Sequence, residues 1–387
     1  MRRLRLGIAV LAAAVIVAAG CTNDEGSQTT GQSAAPAASG DRLNLKGVCP
    51  DPVVLQSDWF PESEHGVLFQ LVGPNPKVDA NKKSVSGPLV AEGNDTGVRV
   101  EVRSGGPATG SETVSAQMYK DKSITLGEVN TDEAIRLSAS QPTMAVVAPM
   151  EISPLALVWD PATYPQFNII ADVGQTDAKV LYFEGDTFIE YLVGSGILKR
   201  SQVDPSFDGS PAKFVASGGK DVVAGFSTSE PYVYEHEVPE WGKPLKYALI
   251  NDTGYPLYPE PLAIRPADKD KLAPCLKKLV PIIQRAQIDF IKNPDETNAL
   301  IVDIVKKYNT FWQFSPGVAK YAVETMRRDN VNNGTDQTLG NFDTNRLQTM
   351  IRITSPIFTA QRQKLKADLK PEDLATNEYI DPAIGLN

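Results

Sequence analysis

A chain of 387 residues with 42% hydrophobic and 22% charged residues has the make-up of a globular protein with a sizeable core. Its length exceeds the usual single-domain size, which favours two domains or one large α/β domain. The net charge of −9, with no basic run beyond the first few residues, removes the electrostatic footprint of nucleic-acid binding.

Arg2, Arg3 and Arg5 precede an apolar run from Leu6 to Gly20, which ends at Cys21. A cationic start followed by a short apolar run matches a secretory leader and is too short for a comfortable membrane span. The ending VAAGC resembles a bacterial lipobox, in which the cysteine is acylated and becomes the mature N-terminus. The expectation is a leader over residues 1–20 and a lipid anchor on Cys21, with the body held at the extracytoplasmic face of the membrane. Loss of the three arginines takes the charge from −9 to −12. Residues 21–46 start with the anchor and a Ser-, Thr-, Gly- and Ala-rich stretch, the composition of a flexible tether. With Cys21 assigned to lipid, Cys49 and Cys275 remain, an even pair that predicts a disulfide in an oxidising compartment.

From Pro52 onward strand and helix signals alternate. Strands are expected over 52–58, 97–103, 123–129 and 143–149, and helices over 64–73, 111–121 and from Thr131, read as an N-cap with acids after it. This rhythm predicts a mainly parallel sheet covered by helices. A second series follows, with strands over 178–184, 220–227 and 244–252 and helices over 186–196, 210–218 and 229–238. Beyond Pro266 the pattern turns helical, over 268–293, 295–308, 317–329 and 343–353. The order predicts an α/β protein of two lobes, residues 47–150 and 253–387 forming the first and 151–252 the second. The chain would cross between lobes near 149–153 and 251–256, both turn-rich, placing the disulfide inside the first lobe.

Catalytic signatures are sparse. GFSTS at 225–229 lacks the closing glycine of a nucleophile elbow, and RSGGPATG at 103–110 lacks the lysine of a P-loop. Two histidines and one cysteine pair supply a transition-metal site poorly, and the acids show no calcium-loop spacing. No metal and no cofactor is therefore expected, and no catalytic residue is assigned.

What recurs is a set of polar and aromatic clusters where strands give way to helices, the ligand-binding edge of open α/β sheets. SDWFPESEHG offers Asp58, Trp59, Phe60 and His65; Arg103 with the Gly105 and Gly106 amides could hold an anionic or carbonyl group. YFEGDT offers Asp186 and Thr187, SFDGSPAKF offers Ser210, and STSEPY offers Glu230 and Tyr232. Each has a structural alternative. Asp186, Ser210 and Ser229 could be helix caps, the glycines a tight turn, and Glu230 a first-turn acid. Trp59, Phe60, Tyr182, Phe183 and Tyr232 could be packing, His65 a structural donor, and His236 a surface residue.

SDWFPESEHG resembles the D-W-x-P-x-x-x-H signature of the NMT1/THI5-like family, which includes solute-binding proteins of bacterial ABC importers, of the SsuA type. STSEPY and DGSPAKFV are similar to two further segments of that family, so the likeness spans roughly residues 50–265, with a tail like that of actinobacterial lipoproteins. The resemblance implies a type II periplasmic-binding-protein fold with two interlobe crossovers and a helical C-terminal region. It also implies a small solute held between lobes that close by hinge motion, a cognate ABC permease as partner, and a monomer. Trp59 and, less directly, His65 would face the cleft. Enzymes of the family that make a thiamine pyrimidine carry a cysteine-rich motif absent here, which argues for capture over synthesis. The aromatic residues could sandwich a flat ring while Asp58, Glu64 and Glu230 accept from ring amines, favouring a heteroaromatic amine over a nitrate- or sulfonate-type anion. The competing readings are a secreted enzyme using His65 and a scaffold lipoprotein without a solute.

Overall fold

The computed structural model describes residues 35–37, 40–332 and 336–386. The leader, Cys21 and much of the expected tether lie outside the described residues.

Strands β1 (Val53–Gln56), β2 (Lys77–Asp79), β3 (Ser84–Ala91), β4 (Asn94–Arg103), β5 (Leu126–Glu128) and β6 (Met144–Val147) begin a first sheet. Strands β7 (Leu155–Trp159), β8 (Val180–Leu181), β9 (Val203–Asp204), β10 (Val222–Phe226) and β11 (Lys246–Leu249) form a second. The chain then returns to the first sheet through β12 (Leu262–Ile264). The strand orders are β2-β3-β4-β1-β5-β12-β6 and β11-β7-β10-β8-β9, so the chain passes between sheets twice. This is an α/β protein of two lobes, one sheet in each.

The first sheet is mixed, which corrects the mainly parallel expectation. β1 runs parallel to β4 and β5, as its fully buried VVLQ suits a central strand. β2, β3 and β4 instead form an antiparallel meander. Its tight turn places Glu92 at φ 50° and Gly93 at φ 75°, the positive-φ pair that matches strand twist in a short hairpin. Gly87 and Pro88 inside β3 hide this strand from a propensity reading. β12 also runs antiparallel, to both β5 and β6. In the second sheet β10 pairs parallel with β8 and antiparallel with β7, a short apolar run that the sequence pattern did not mark.

Helices α1 (Gly66–Gln70), α2 (Val114–Lys120) and α3 (Thr131–Arg136) follow strands of the first sheet. α4 (Ile170–Gly174), α5 (Thr187–Gly194), α6 (Ala212–Ala216) and α7 (Glu230–His236) belong with the second. α8 (Lys269–Lys292), α9 (Asp295–Tyr308), α10 (Pro316–Arg328), α11 (Thr344–Ala360) and α12 (Pro371–Leu374) make the helical C-terminal region. α8 buries an apolar stripe including Leu272, Leu276, Leu279 and Ile283 in the core that also holds Val53, Leu55 and Val100. Cys49 and Cys275 are joined, tying the segment before β1 to α8 across 226 residues. In the chain-entropy picture so long a loop contributes about 5 kcal/mol against the unfolded state. Among the described residues no helix is long and apolar enough to cross a membrane.

Candidate functional site

Because β1 and β5 are parallel neighbours, their carboxyl ends open at one edge of the first sheet. β12 runs the other way, so the chain enters it at that same edge. Three acids arrive there by this topology: Asp58 just beyond β1, Glu128 as the last residue of β5, and Glu260 just before β12. The fourth group, His65, sits at the start of α1. Gly66 follows it because a Cβ there would lie 2.2 Å from the Phe290 ring, so only glycine lets this turn press against α8.

His65 is wholly buried, at 0% exposure. Its Nδ1 lies 3.1 Å from the Phe60 carbonyl, which can only accept, so Nδ1 carries the proton of that bond. The ring is thereby turned to aim Nε2 at carboxylates. Asp58 Oδ1 stands 3.1 Å away, Glu260 Oε2 3.5 Å, Glu128 Oε2 3.6 Å and Glu62 Oε1 4.0 Å.

Asn130 braces the cluster. Its Oδ1 accepts from the Glu260 N–H at 2.9 Å, and its amide donates to Asp58 Oδ2 at 3.4 Å. Asn130, not Thr131, is the residue before α3, and its side chain serves the acids instead of capping the helix. Glu260 adopts φ 52°, a left-handed backbone uncommon outside glycine, and its N–H is tied to Asn130.

The electrostatics follow from burial. Desolvation pushes the Glu128 carboxyl up to about 8, with Asp58 adding to the shift and His65 opposing it. Burial and neighbouring acids push Glu62 and Glu260 well above the carboxylate range. Burial works against a charged His65, but Glu128, Glu260, Asp58 and Glu62 outweigh it and hold the imidazole well above its usual range. Among the described residues no lysine or arginine forms an ion pair with these four acids. Glu128 Oε2 and Glu260 Oε2 are buried without a hydrogen-bond partner. One donor atom each from Asp58, His65, Glu128 and Glu260 lies within 4.8 Å of the others, close enough to share a cation.

The other residues singled out from the sequence divide into two groups. Trp59 is half-buried beside the cluster, with its ring 6.5 Å from Phe183 of the second lobe and 6.0 Å from Trp312. Gly105 and Gly106 seat it. A Cβ on Gly105 would come within 2.2 Å of the Ser57 carbonyl, and one on Gly106, at φ 55°, within 2.4 Å of the indole. Glu64 and Glu230 feel one another's charge; burial and the Glu64 charge lift Glu230 to about 7, while Glu230 accepts from the Phe226 N–H at 2.6 Å.

The second group lies elsewhere. Phe60 is core, 2% exposed and stacked on Trp312. Arg103 is held by Glu101 and Asp121, both at 2.8 Å, so it turns to the sheet surface instead of offering an anion a free cation. Ser210 accepts from the Ala212 N–H at 3.1 Å, a turn role. Tyr182 is core, and Tyr232 packs against Tyr321 of α10. Asp186 and Thr187 open α5; Asp186 gives no side-chain cap, and burial together with the Asp132 charge pushes it up to about 7. His236 is exposed on α7.

Sequence reasoning missed Glu128, Glu260 and Asn130. Glu128 carried a usable signal, an acid closing an otherwise apolar strand. Glu260, within a proline-rich connection, carried none, because only the antiparallel return of β12 delivers it to this edge.

No family model and no curated protein matches the chain. Solved structures do. A protein of Bordetella bronchiseptica RB50 aligns at TM-score 0.52 and 14% identity, over 85% of this chain and 96% of that one. The alkanesulfonate-binding protein SsuA of Xanthomonas axonopodis pv. citri, bound to MOPS, aligns at 0.51 and 11%, over 85% and 100%. The periplasmic sulfonate-binding protein SsuA of Methylobacillus flagellatus KT aligns at 0.52 and 14%, over 86% and 93%. At such identities the likeness carries the fold: the chain has the two-lobed, type II periplasmic-binding-protein fold.

Proposed function

We propose that the protein is an extracytoplasmic, lipid-anchored receptor of an ABC importer, binding and not transforming a small solute between its lobes. The observation that carries this reading is the meeting of Trp59 and Phe183 across the lobes, beside an acidic edge that has no arginine or lysine ion-pair partner among the described residues. The reading places the lobes at 47–150 with 253–387 and at 151–252, the anchor at Cys21, and a permease as partner.

The same geometry favours a flat, amine-bearing ring over an anion. Trp59 and Phe183 supply faces for stacking, and Glu64 and Glu230 supply acceptors from opposite lobes. A sulfonate, which the SsuA relatives bind, would instead enter a field of carboxylates while Arg103 stays committed to Glu101 and Asp121. Native mass spectrometry of protein purified from its own host, followed by thermal-shift titration with aminopyrimidines and alkanesulfonates, tests the reading. It expects a solute released unchanged and stabilisation by the amines. A chemically altered product would favour an enzyme, and stabilisation by alkanesulfonates alone would overturn the amine preference.

A further inference from the structure

We propose that Asp58, His65, Glu128 and Glu260 form a binding site for one divalent first-row transition cation, on the floor of the candidate cleft. The proposal goes beyond the receptor reading and does not depend on it, since ion binding needs no solute.

Three independent observations lead there. The first is charge. Three carboxylates converge on one imidazole at 3.1, 3.5 and 3.6 Å, with Glu128, Glu260 and His65 buried and Asp58 partly open to solvent, and with no lysine or arginine paired to them among the described residues. A protonated His65 balances at most one of the three, so the others must take up protons or a further cation, because buried charge without a partner is expensive. The second is unmet bonding. Glu128 and Glu260 are 1% and 5% exposed, yet each aims a buried Oε2 without any hydrogen-bond partner into the cluster. Buried carboxylate oxygens are rarely left so, and a metal ion is the acceptor-only site's natural complement. The third is the imidazole. With Nδ1 donating to the Phe60 carbonyl, the lone pair of a neutral ring sits on Nε2, facing the acids. This backbone-oriented tautomer is the one in which histidine binds metals.

The surroundings fit as well. Donor atoms lie within 4.8 Å of one another, so a small contraction brings them to the separations of about 3–4 Å that bonds near 2.1 Å impose. Asn130 fixes two of the ligands from outside, bonding the Glu260 backbone and the Asp58 Oδ2. One nitrogen and three oxygens suit manganese, iron or zinc; calcium and magnesium prefer oxygen alone. Glu64 and Glu230 are not among the ligands and remain for a solute.

The test uses the untagged full chain, stripped with a chelator, then titrated with MnCl2 or ZnCl2 and followed by calorimetry and thermal melting. One equivalent of ion should bind and raise the melting temperature. Glu260→Gln and Glu128→Gln should each weaken binding at least tenfold, while Glu64→Gln should not. Absence of binding in the wild-type chain would overturn the proposal, as would binding that the Glu260→Gln and Glu128→Gln chains retain. Equal affinity for CaCl2 would overturn the choice of a transition ion. Because the wild-type titration needs no variant, a misfolded mutant leaves the answer intact. Stabilisation by an aminopyrimidine without ion binding would sink the metal site and spare the receptor.

Discussion

Two buried acidic places in this molecule are built on opposite plans. Near the first passage between sheets, Glu151 meets Arg346, whose Nη1 lies 3.2 Å from Glu151 Oε2. The same guanidinium donates to the Glu151 carbonyl and to the Pro256 and Leu257 carbonyls, the latter two at 2.8 and 2.5 Å, and lies 3.6 Å from the Tyr258 ring centre. Every face of that charge is answered from within the chain. At the edge of the first sheet, three acids converge on one imidazole and two of their oxygens go unanswered. At Glu151 the sequence supplies the cation; at the sheet edge a cation from outside would be the simplest complement.

The largest effect expected from breaking this contrast is at Arg346. Arg346→Met strands Glu151 and three carbonyls, and should lower the unfolding free energy by about 3–5 kcal/mol in chemical denaturation. Stability equal to wild type would remove the self-neutralised half of the comparison.

Next comes solute binding. Trp59→Ala should weaken binding of a flat, amine-bearing ring by about 1 kcal/mol or more, given about 0.5–1.5 for aromatic contact plus lost burial. Unchanged affinity in a folded Trp59→Ala protein would make that side chain packing only.

Glu128→Gln and Glu260→Gln should behave unlike Arg346→Met. In ion-free protein each relieves crowding of like charge, so stability should change by no more than about 1 kcal/mol, or rise. A loss as large as that of Arg346→Met would show that the cluster, too, is a structural network.

A further effect is on pH dependence. Burial lifts Glu151 to about 7 despite Arg346, above its ordinary 4.5. The folded state therefore keeps a proton that the unfolded state has released across that window. Stability contributed by this group is full below about 4.5 and is lost as pH rises through about 7. Glu151→Gln should flatten the decline between those limits in thermal melts; an unchanged slope would count against Glu151 as a source.

Much of the fold was legible in the sequence because its elements announce themselves locally. VVLQ is a buried central strand, α8 shows an apolar stripe, and the lone cysteine pair is joined. The meander was hidden because Gly87 and Pro88 interrupt β3, and the sheet's mixed direction because a three-residue β12 carries little pattern. The site was half legible. Asp58, Trp59 and His65 occur in one stretch and stay together in space. Glu128 and Glu260 join them only through strand adjacency, which no local spacing encodes. Counting histidines and cysteines gives no weight to carboxylates, and the proposed ligands are mostly carboxylates, the commonest charged groups on any surface.

The most direct measurement is a crystal of the full chain grown with MnCl2, with diffraction collected for anomalous signal. The account predicts one strong peak bonded to His65 Nε2 and to carboxylate oxygens of Asp58, Glu128 and Glu260. An unoccupied cluster at saturating manganese, or a peak held by other residues, would contradict it.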